Sequence, residues 1–475
     1  LCRCGSAFSL DNGVRGQYYP AFRKFGDPDS TGAAKTLEME VRPFKAFRFD
    51  SRVVGDVGRC IAPPYDVIDD AQREELYRRS DHNIVRITKG KTTPSDNGQV
   101  NQYTRANEFL QKWIAEGALK PDDRDTIYGY VQDFELDGVT YRRLTFIALG
   151  RLEDFGKTVR PHEQVFAKPL EDRLNLKRAT AARFGLVFML YDDPQGLADE
   201  AIAEAATQKP LVDFVDDQAV RHQLFAIADD GRIEAIVRMM SDKSCIIADG
   251  HHRYTTGLAY MRENPNPAAK YQMLAFTNTA QKGLIVLATH RVVGGIDGFE
   301  ASEFLSRLAP GFAVTKFPFG PDAESKESAR QRMLAEMKTV HNRDETCLGM
   351  YMGDGSFYVA VLKDEALMKT ATPDRSAAWR TLDVSVLQKL ILERLLGLTE
   401  EKMGNADYVE YVKDMPNAMN EIIRRIDTGR KQVAFFTNPV KMQQLARITD
   451  AGERMPHKST YFYPKMYTGL TIQKL

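Results

Sequence analysis

Cysteine is scarce: five among 475 residues, Cys2, Cys4, Cys60, Cys245 and Cys347. Scattered in this way, they do not form the disulfide framework of a small secreted scaffold. Cys2 and Cys4 are close in sequence but lack the second pair of a structural zinc site. A charge imbalance is also absent. Lys plus Arg and Asp plus Glu each total 65, for a net charge of zero. General nucleic-acid binders carry a basic footprint, so this balance argues against one and leaves open only a local basic patch. No apolar run approaches the roughly 20 residues of a membrane span, and no apolar segment near the start has the form of a secretory signal. The expectation is a cytoplasmic protein without a membrane anchor. What is present is ordinary for a globular chain: 43% hydrophobic and 27% charged residues. The length exceeds one ordinary core, so two or three domains are expected.

Residues 1–38 are rich in Gly, Ser, Asp and Arg and have no sustained period; patterned sequence begins at the first methionine, Met39. The expected organisation is a loose leader over 1–38, a mixed α/β domain over 39–294 and an α+β domain over 295–475. The Gly-rich connection Gly294 to Gly298 would divide the last two. No internal repeat has a fixed period. Ile127 to Leu136 and Val139 to Leu149 read as two strands of a hairpin turning at Asp137-Gly138. Asp70 to Arg79 reads as a helix. Ala106, Phe109, Leu110 and Trp113 form the apolar stripe of another, stopped by Gly117. His82 to Ile87 reads as a strand. Gly90-Lys91-Thr92 is not a phosphate loop, because Val85 stands where that motif needs a glycine.

The most informative stretch is Ser244 to Tyr254. Cys245 to Ala248 is an apolar run of strand length, and Asp249-Gly250 ends it. His251, Tyr254, Leu258 and Met261 then recur at helical steps. This order puts Gly250, His251, His252 and Arg253 on the first turn of a helix, where free N–H groups and the dipole favour a phosphate. Arg253 would add a forked cation. Each residue also has a plain reading: Asp249 as an N-cap, His251 as a core histidine, Arg253 as a surface ion pair. The combination is less common than its parts.

Two further polar clusters stand out. Arg160-Pro161-His162-Glu163 leads into a charged stretch that includes Lys168, Asp172 and Arg173. Near the end, Arg454, His457, Lys458, Tyr461, Phe462, Tyr463 and Lys465 combine basic and aromatic residues, which suits a phosphate and a stacked base. Docking of the terminus on a core explains the aromatics equally well. Asp66, after Pro63-Pro64-Tyr65, is either a ligand contact or a turn residue.

Asp249-Gly250-His251-His252-Arg253 resembles the nucleotide-phosphate motif of the partition-protein/sulfiredoxin superfamily, in the form carried by free serine kinases. From about Val41 onward the chain also resembles a bacterial and archaeal family named only as domain of unknown function 1015. Its marks here are Pro63 to Val67, Arg160 to Glu163, Ala248 to Tyr254 and Glu453 to Pro464. The resemblance implies a nucleotide-binding core of partition-protein/sulfiredoxin type with additional mixed domains. It implies ATP or ADP as cofactor, with Mg2+, and a small hydroxyl compound such as free serine as acceptor. Phosphate binding would fall to Gly250, His251, His252, Arg253, Arg454 and Lys458. Catalysis would fall to Glu163 as general base, with Asp249 and His162 beside it. The alternative is a non-catalytic nucleotide-binding regulator. Sulfiredoxin chemistry needs a cysteine where His251 stands. A metal hydrolase on His162, His251 and His252 ranks last, because adjacent helical residues point about 100° apart.

Overall fold

The computed structural model describes residues 39–475 apart from 165 and 166. The expected leader, with Cys2 and Cys4, and the side chain of Lys168 lie outside the described residues. The architecture is mixed α/β, built on two sheets.

The larger sheet contains β1 (Val41–Arg42), β2 (Ile127–Leu136), β3 (Val139–Arg151), β4 (Val159–Arg160), β5 (Val187–Tyr191), β6 (Val212–Val215), β7 (Arg221–Ile227), β8 (Cys245–Asp249) and β9 (Tyr271–Asn278). Their order is β4-β8-β5-β9-β3-β2-β7-β6, with β1 on β3. Only β4/β8 and β5/β9 pair in parallel among the paired strands of this sheet. The β2/β3 hairpin turns where expected, with positive φ at Asp137 and Gly138. β5 and β9 are buried almost throughout, which fits central strands covered on both faces.

Strand alternation divides the core. Ile246, Ala248, Phe188, Leu190, Met273 and Ala275 face one side, where they meet Trp113 and Leu110. Cys245, Ile247, Val187, Met189, Leu274 and Phe276 face the other, against Ile202, Ile236, Tyr254 and Leu258. Helices α1 (Gln102–Ala115), α2 (Ala167–Thr180) and α3 (His251–Glu263) pack in sequence, α2 touching both others. The charged stretch after Glu163 is therefore an ordered helix, and Leu176, Lys177 and Thr180 on it are buried.

The smaller sheet is antiparallel: β10 (Thr289–Val293), β11 (Phe312–Pro318), β12 (Cys347–Tyr351), β13 (Ser356–Leu362), β14 (Val409–Lys413) and β15 (Val433–Phe436), in the order β11-β13-β12-β15-β10-β14. The final segment then runs back along the first half. Tyr461–Tyr463 pairs with Ile285–Leu287, Thr468 bridges Ala62, Ile472 bridges Phe47, and Gln473–Lys474 pairs with Ala182–Arg183.

One strand expectation fails. His82 to Ile87 is no strand; Val85–Thr88 is a short helix. Asn83 accepts from the Val85 N–H through Oδ1, and Ile84, Val85 and Ile87 are all buried. A short apolar run buried all round has no period by which to tell strand from helix. A short α-helix over Asp383–Val386 continues as a π-helix over Leu387–Leu395. Cys60, Cys245 and Cys347 are free and buried. Among the described residues no helix is long and apolar enough to cross a membrane.

Candidate functional site

Strand β8 delivers Asp249 to its end, and Gly250 turns the chain into α3 with φ +95°. An L side chain there would be strained, and a Cβ would stand 3.0 Å from Arg253 Nε. No side chain caps α3. The N–H groups of its first turn are without intrahelical partners, at the positive end of the dipole.

Arg253 folds back over the turn. Its Nη2 donates to Asp249 Oδ2 at 2.7 Å, and Nη1 donates to the Leu186 carbonyl. Lys465, 216 residues away in sequence, donates to the other oxygen, Asp249 Oδ1, at 3.1 Å. Burial opposes the charge on Asp249, but Lys465 and Arg253 outweigh it and hold the carboxyl below its ordinary range. Asp249 thus braces two cations beside the helix end, and as a fixed anion it is a poor proton acceptor.

The Arg160–Glu163 segment packs directly against this turn. The His162 backbone N–H donates to His251 Nε2 at 3.2 Å, so the proton of the neutral ring is on Nδ1, which faces Glu163 Oε2 at 4.0 Å. The His162 ring donates from Nδ1 to the Ile247 carbonyl at 2.6 Å, and its Nε2 accepts from Thr460 Oγ1 at 2.9 Å. These roles follow from the network, since a carbonyl only accepts. Both rings are buried and meet edge to face, 4.6 Å between centres. Burial and then His162 push His251 down to about 3, so it is neutral. Burial alone would raise Glu163, yet the neighbouring His457 and the two buried imidazoles bring it down to about 2. Glu163 Oε1 also accepts the Lys458 backbone N–H at 3.2 Å.

Buried arginines hold the final segment in place. Arg143 donates from Nη1 to the Tyr463 carbonyl at 3.2 Å, and also to the Pro464 carbonyl. Arg291 Nη2 reaches the Lys458 carbonyl at 3.2 Å. The same face gathers Tyr461 with two ammonium groups on its ring, Lys413 at 4.4 Å and Lys465 at 4.5 Å. Tyr411 carries Lys458 at 4.6 Å. Burial and then Lys465 lower Lys413, while Asp66 and Asp249 support its charge. Asp66 also acts on His252 and Arg253. Tyr411, Lys413, His457 and Lys458 line a cleft of about 740 Å³, within the usual range for small-molecule sites.

His162, Glu163, Asp249, Gly250, His251, His252, Arg253 and Lys458 therefore converge. Among the described residues Arg454 does not join their contacts; its guanidinium lies 5.9 Å from the Phe155 ring centre. His251 turns both ring nitrogens towards the 162–163 segment, and His252 is the half-buried histidine of the pair. Tyr411, Lys413 and Arg291 were not anticipated. They lie on strands whose alternating pattern looks structural, and nothing local marks them out. Among the described residues no group of three His, Cys, Asp or Glu side chains is arranged to hold a metal ion.

No curated protein matches the chain in sequence. Among solved structures it is similar to a conserved hypothetical protein from Pyrococcus furiosus (14% identity, 67% of this chain and 91% of that one, TM-score 0.31). It is similar to a free serine kinase in complex with AMP (15%, 64% and 83%, TM-score 0.31). It is also similar to SbnI with a C-terminal truncation from Staphylococcus aureus (11%, 67% and 84%, TM-score 0.32). One family description covers most of the chain, matching residues 41–385, and by that match the chain belongs to the family described as Protein of unknown function (DUF1015).

Proposed function

We propose that this protein is a nucleotide-dependent phosphotransferase acting on a small hydroxyl compound, with a core of partition-protein/sulfiredoxin type. The observation that carries the reading is the uncapped start of α3 at Gly250, with Arg253 and Lys465 on Asp249 beside it, Lys413 sharing the Tyr461 ring with Lys465, and the Lys458 N–H on Glu163. A helix N-terminus with convergent cations suits a polyphosphate. Tyr411, on the wall of the cleft, offers a ring for a base. Glu163 lies at the rim, 4.0 Å from His251, and takes the role of acceptor for the substrate hydroxyl proton. Its low pKa makes it a weak base. Phosphoryl transfer tolerates this, because its loose transition state asks mainly for positioning and charge neutralisation. Mg2+ would sit chiefly on the phosphates, with Glu163 or Asp66 supplying a carboxylate, and would neutralise charge during transfer.

A second reading is a nucleotide-binding regulator without turnover. It is favoured by Asp249, which is fully engaged by two cations and has no free proton-accepting role. The experiment that separates the two begins with thermal stabilisation by ATP, ADP and CTP, with and without Mg2+. Product formation is then measured on free serine and on a panel of small alcohols. Nucleotide binding with a phosphorylated acceptor supports the kinase; binding without any product supports the regulator. If no nucleotide binds, both readings fall.

A further inference from the structure

Beside Arg253, residues of α2, α3 and the returning C-terminal segment line a separate pocket. Arg173, Lys177, Arg183, Arg253, Thr256 and Gln272 lie on its wall. Four of these are cations, and none of the lining residues is a carboxylate. Lys177 is 7% exposed, and its ammonium makes no hydrogen bond or ion pair among the described residues. Arg183 is 2% exposed. It spends its terminal nitrogens on the carbonyls of Ala268, Ala269 and Tyr271 and on Gln473, while its Nε–H is buried without a partner. The neighbouring carboxylates are already taken. Asp172 is held by Arg173 and Tyr103, and Asp249 by Arg253 and Lys465. Buried polar groups are normally paired, so the Arg183 Nε–H, without a partner in a pocket that it shares with Lys177 and no carboxylate, is a strong exception.

We propose that this cavity is a binding site for a small anion, a phosphate or a small hydroxy-carboxylate, held between Lys177 and Arg183. The size fixes the class. The space open to the centre of a water-sized sphere is about 60 Å³, room for roughly four to six waters at about 10–15 Å³ each. That admits a phosphate or a carboxylic acid of a few carbons and excludes a nucleotide. A buried oxygen without a donor, Gln272 Oε1, asks in addition for a hydroxyl or ammonium on the ligand. The site does not depend on the nucleotide reading; it shares only Arg253 with the turn.

Protonation gives an independent handle. Burial, followed by the charge of Arg183, lowers Lys177 well below the ordinary lysine value. Arg173, Arg253 and Tyr65 also face the cavity, and none supplies a compensating anion at neutral pH. An arriving anion reverses this, so binding takes up a proton and tightens as the pH falls.

The test is calorimetry on the full chain with sodium phosphate and with sodium glycolate, against sodium chloride at matched ionic strength. Saturable binding of either anion above the chloride control is expected. Phosphate alone would identify a phosphate-group site; glycolate would identify a hydroxy-carboxylate site. Lys177→Met should weaken that binding about ten- to a hundredfold, the worth of one charge-assisted hydrogen bond, with nucleotide affinity unchanged. Should Lys177→Met fail to fold, the wild type decides: glycolate affinity should rise as pH is lowered from about 9 to about 6. Absence of binding by both anions, equal binding by Lys177→Met, or a flat pH dependence overturns the proposal.

Discussion

At the residue scale, the turn separates charges that hold the site together from charges left to face a ligand. Lys465→Met leaves Asp249 with Arg253 as a partner and removes one cation at the helix end. Nucleotide affinity should fall about ten- to a hundredfold by calorimetry, the loss of one charge-assisted contact, with little change in melting temperature. Arg253→Ala should weaken binding similarly and also destabilise the fold by about 1–3 kcal/mol, because it takes the donor from the Leu186 carbonyl as well as one partner from Asp249. Glu163→Gln keeps the shape and removes the proton acceptor. Binding should persist while turnover falls by about 10²–10⁴; equal losses of binding in Glu163→Gln and Lys465→Met would refute this division of roles.

The same residues set a pH dependence. Unfolded His251 takes up a proton near its ordinary value, whereas the folded protein resists until about 3. Glu163 is ordinary when unfolded and titrates at about 2 when folded. In both cases the unfolded chain binds more protons, so stability falls as the solution is acidified. For His251 the loss begins near pH 6.5. For Glu163 it spans roughly pH 4.5 to 2 and amounts to at most about 3 kcal/mol. Urea midpoints measured from neutral to acidic pH should show this decline. His251→Gln, whose side-chain oxygen can still accept the His162 N–H, should flatten the part that begins near pH 6.5.

At the element scale, the strand-to-helix turn depends on a glycine. Gly250→Ala puts a side chain at φ +95° and a Cβ 3.0 Å from Arg253 Nε. The left-handed conformation costs about 1–2 kcal/mol, and the displaced guanidinium leaves Asp249. We expect a lower melting temperature together with weaker nucleotide binding; full retention of both would show that the turn relaxes without consequence. This element was legible in the sequence, because an apolar run of strand length, an Asp-Gly break and a helical period follow one another within twenty residues. The helix at Val85–Thr88 was not legible, because burial on every side removes the period that distinguishes it.

At the scale of the whole molecule, the last twenty residues complete the first half of the chain. Phe462, Met466, Leu470 and Ile472 are buried in the larger core. At about 1.5–3 kcal/mol for each buried side chain, their contribution rivals the roughly 5–15 kcal/mol net stability of a typical domain. Removing residues 456–475 should abolish cooperative unfolding followed by circular dichroism, not merely the site. A truncated chain that still unfolds cooperatively at the same midpoint would show that the segment is an accessory.

The sequence by itself determined what short-range physics can encode. It set the hairpin at Asp137-Gly138, the helices with clear apolar stripes, and a helix start after Gly250. It also marked His162, Glu163 and the basic aromatic terminus as polar clusters out of place in a plain scaffold. Only the tertiary structure decided which charges meet. Lys465 reaches Asp249 across 216 residues, and Lys413 joins it on the Tyr461 ring. Lys177 and Arg183 line one pocket with no carboxylate among the described residues on its wall. Such pairings depend on sheet order and on the path of the returning segment, whose contacts are long-range. A residue's own neighbours in sequence carry no trace of the partner that folding will bring to it, nor of one that folding will fail to supply.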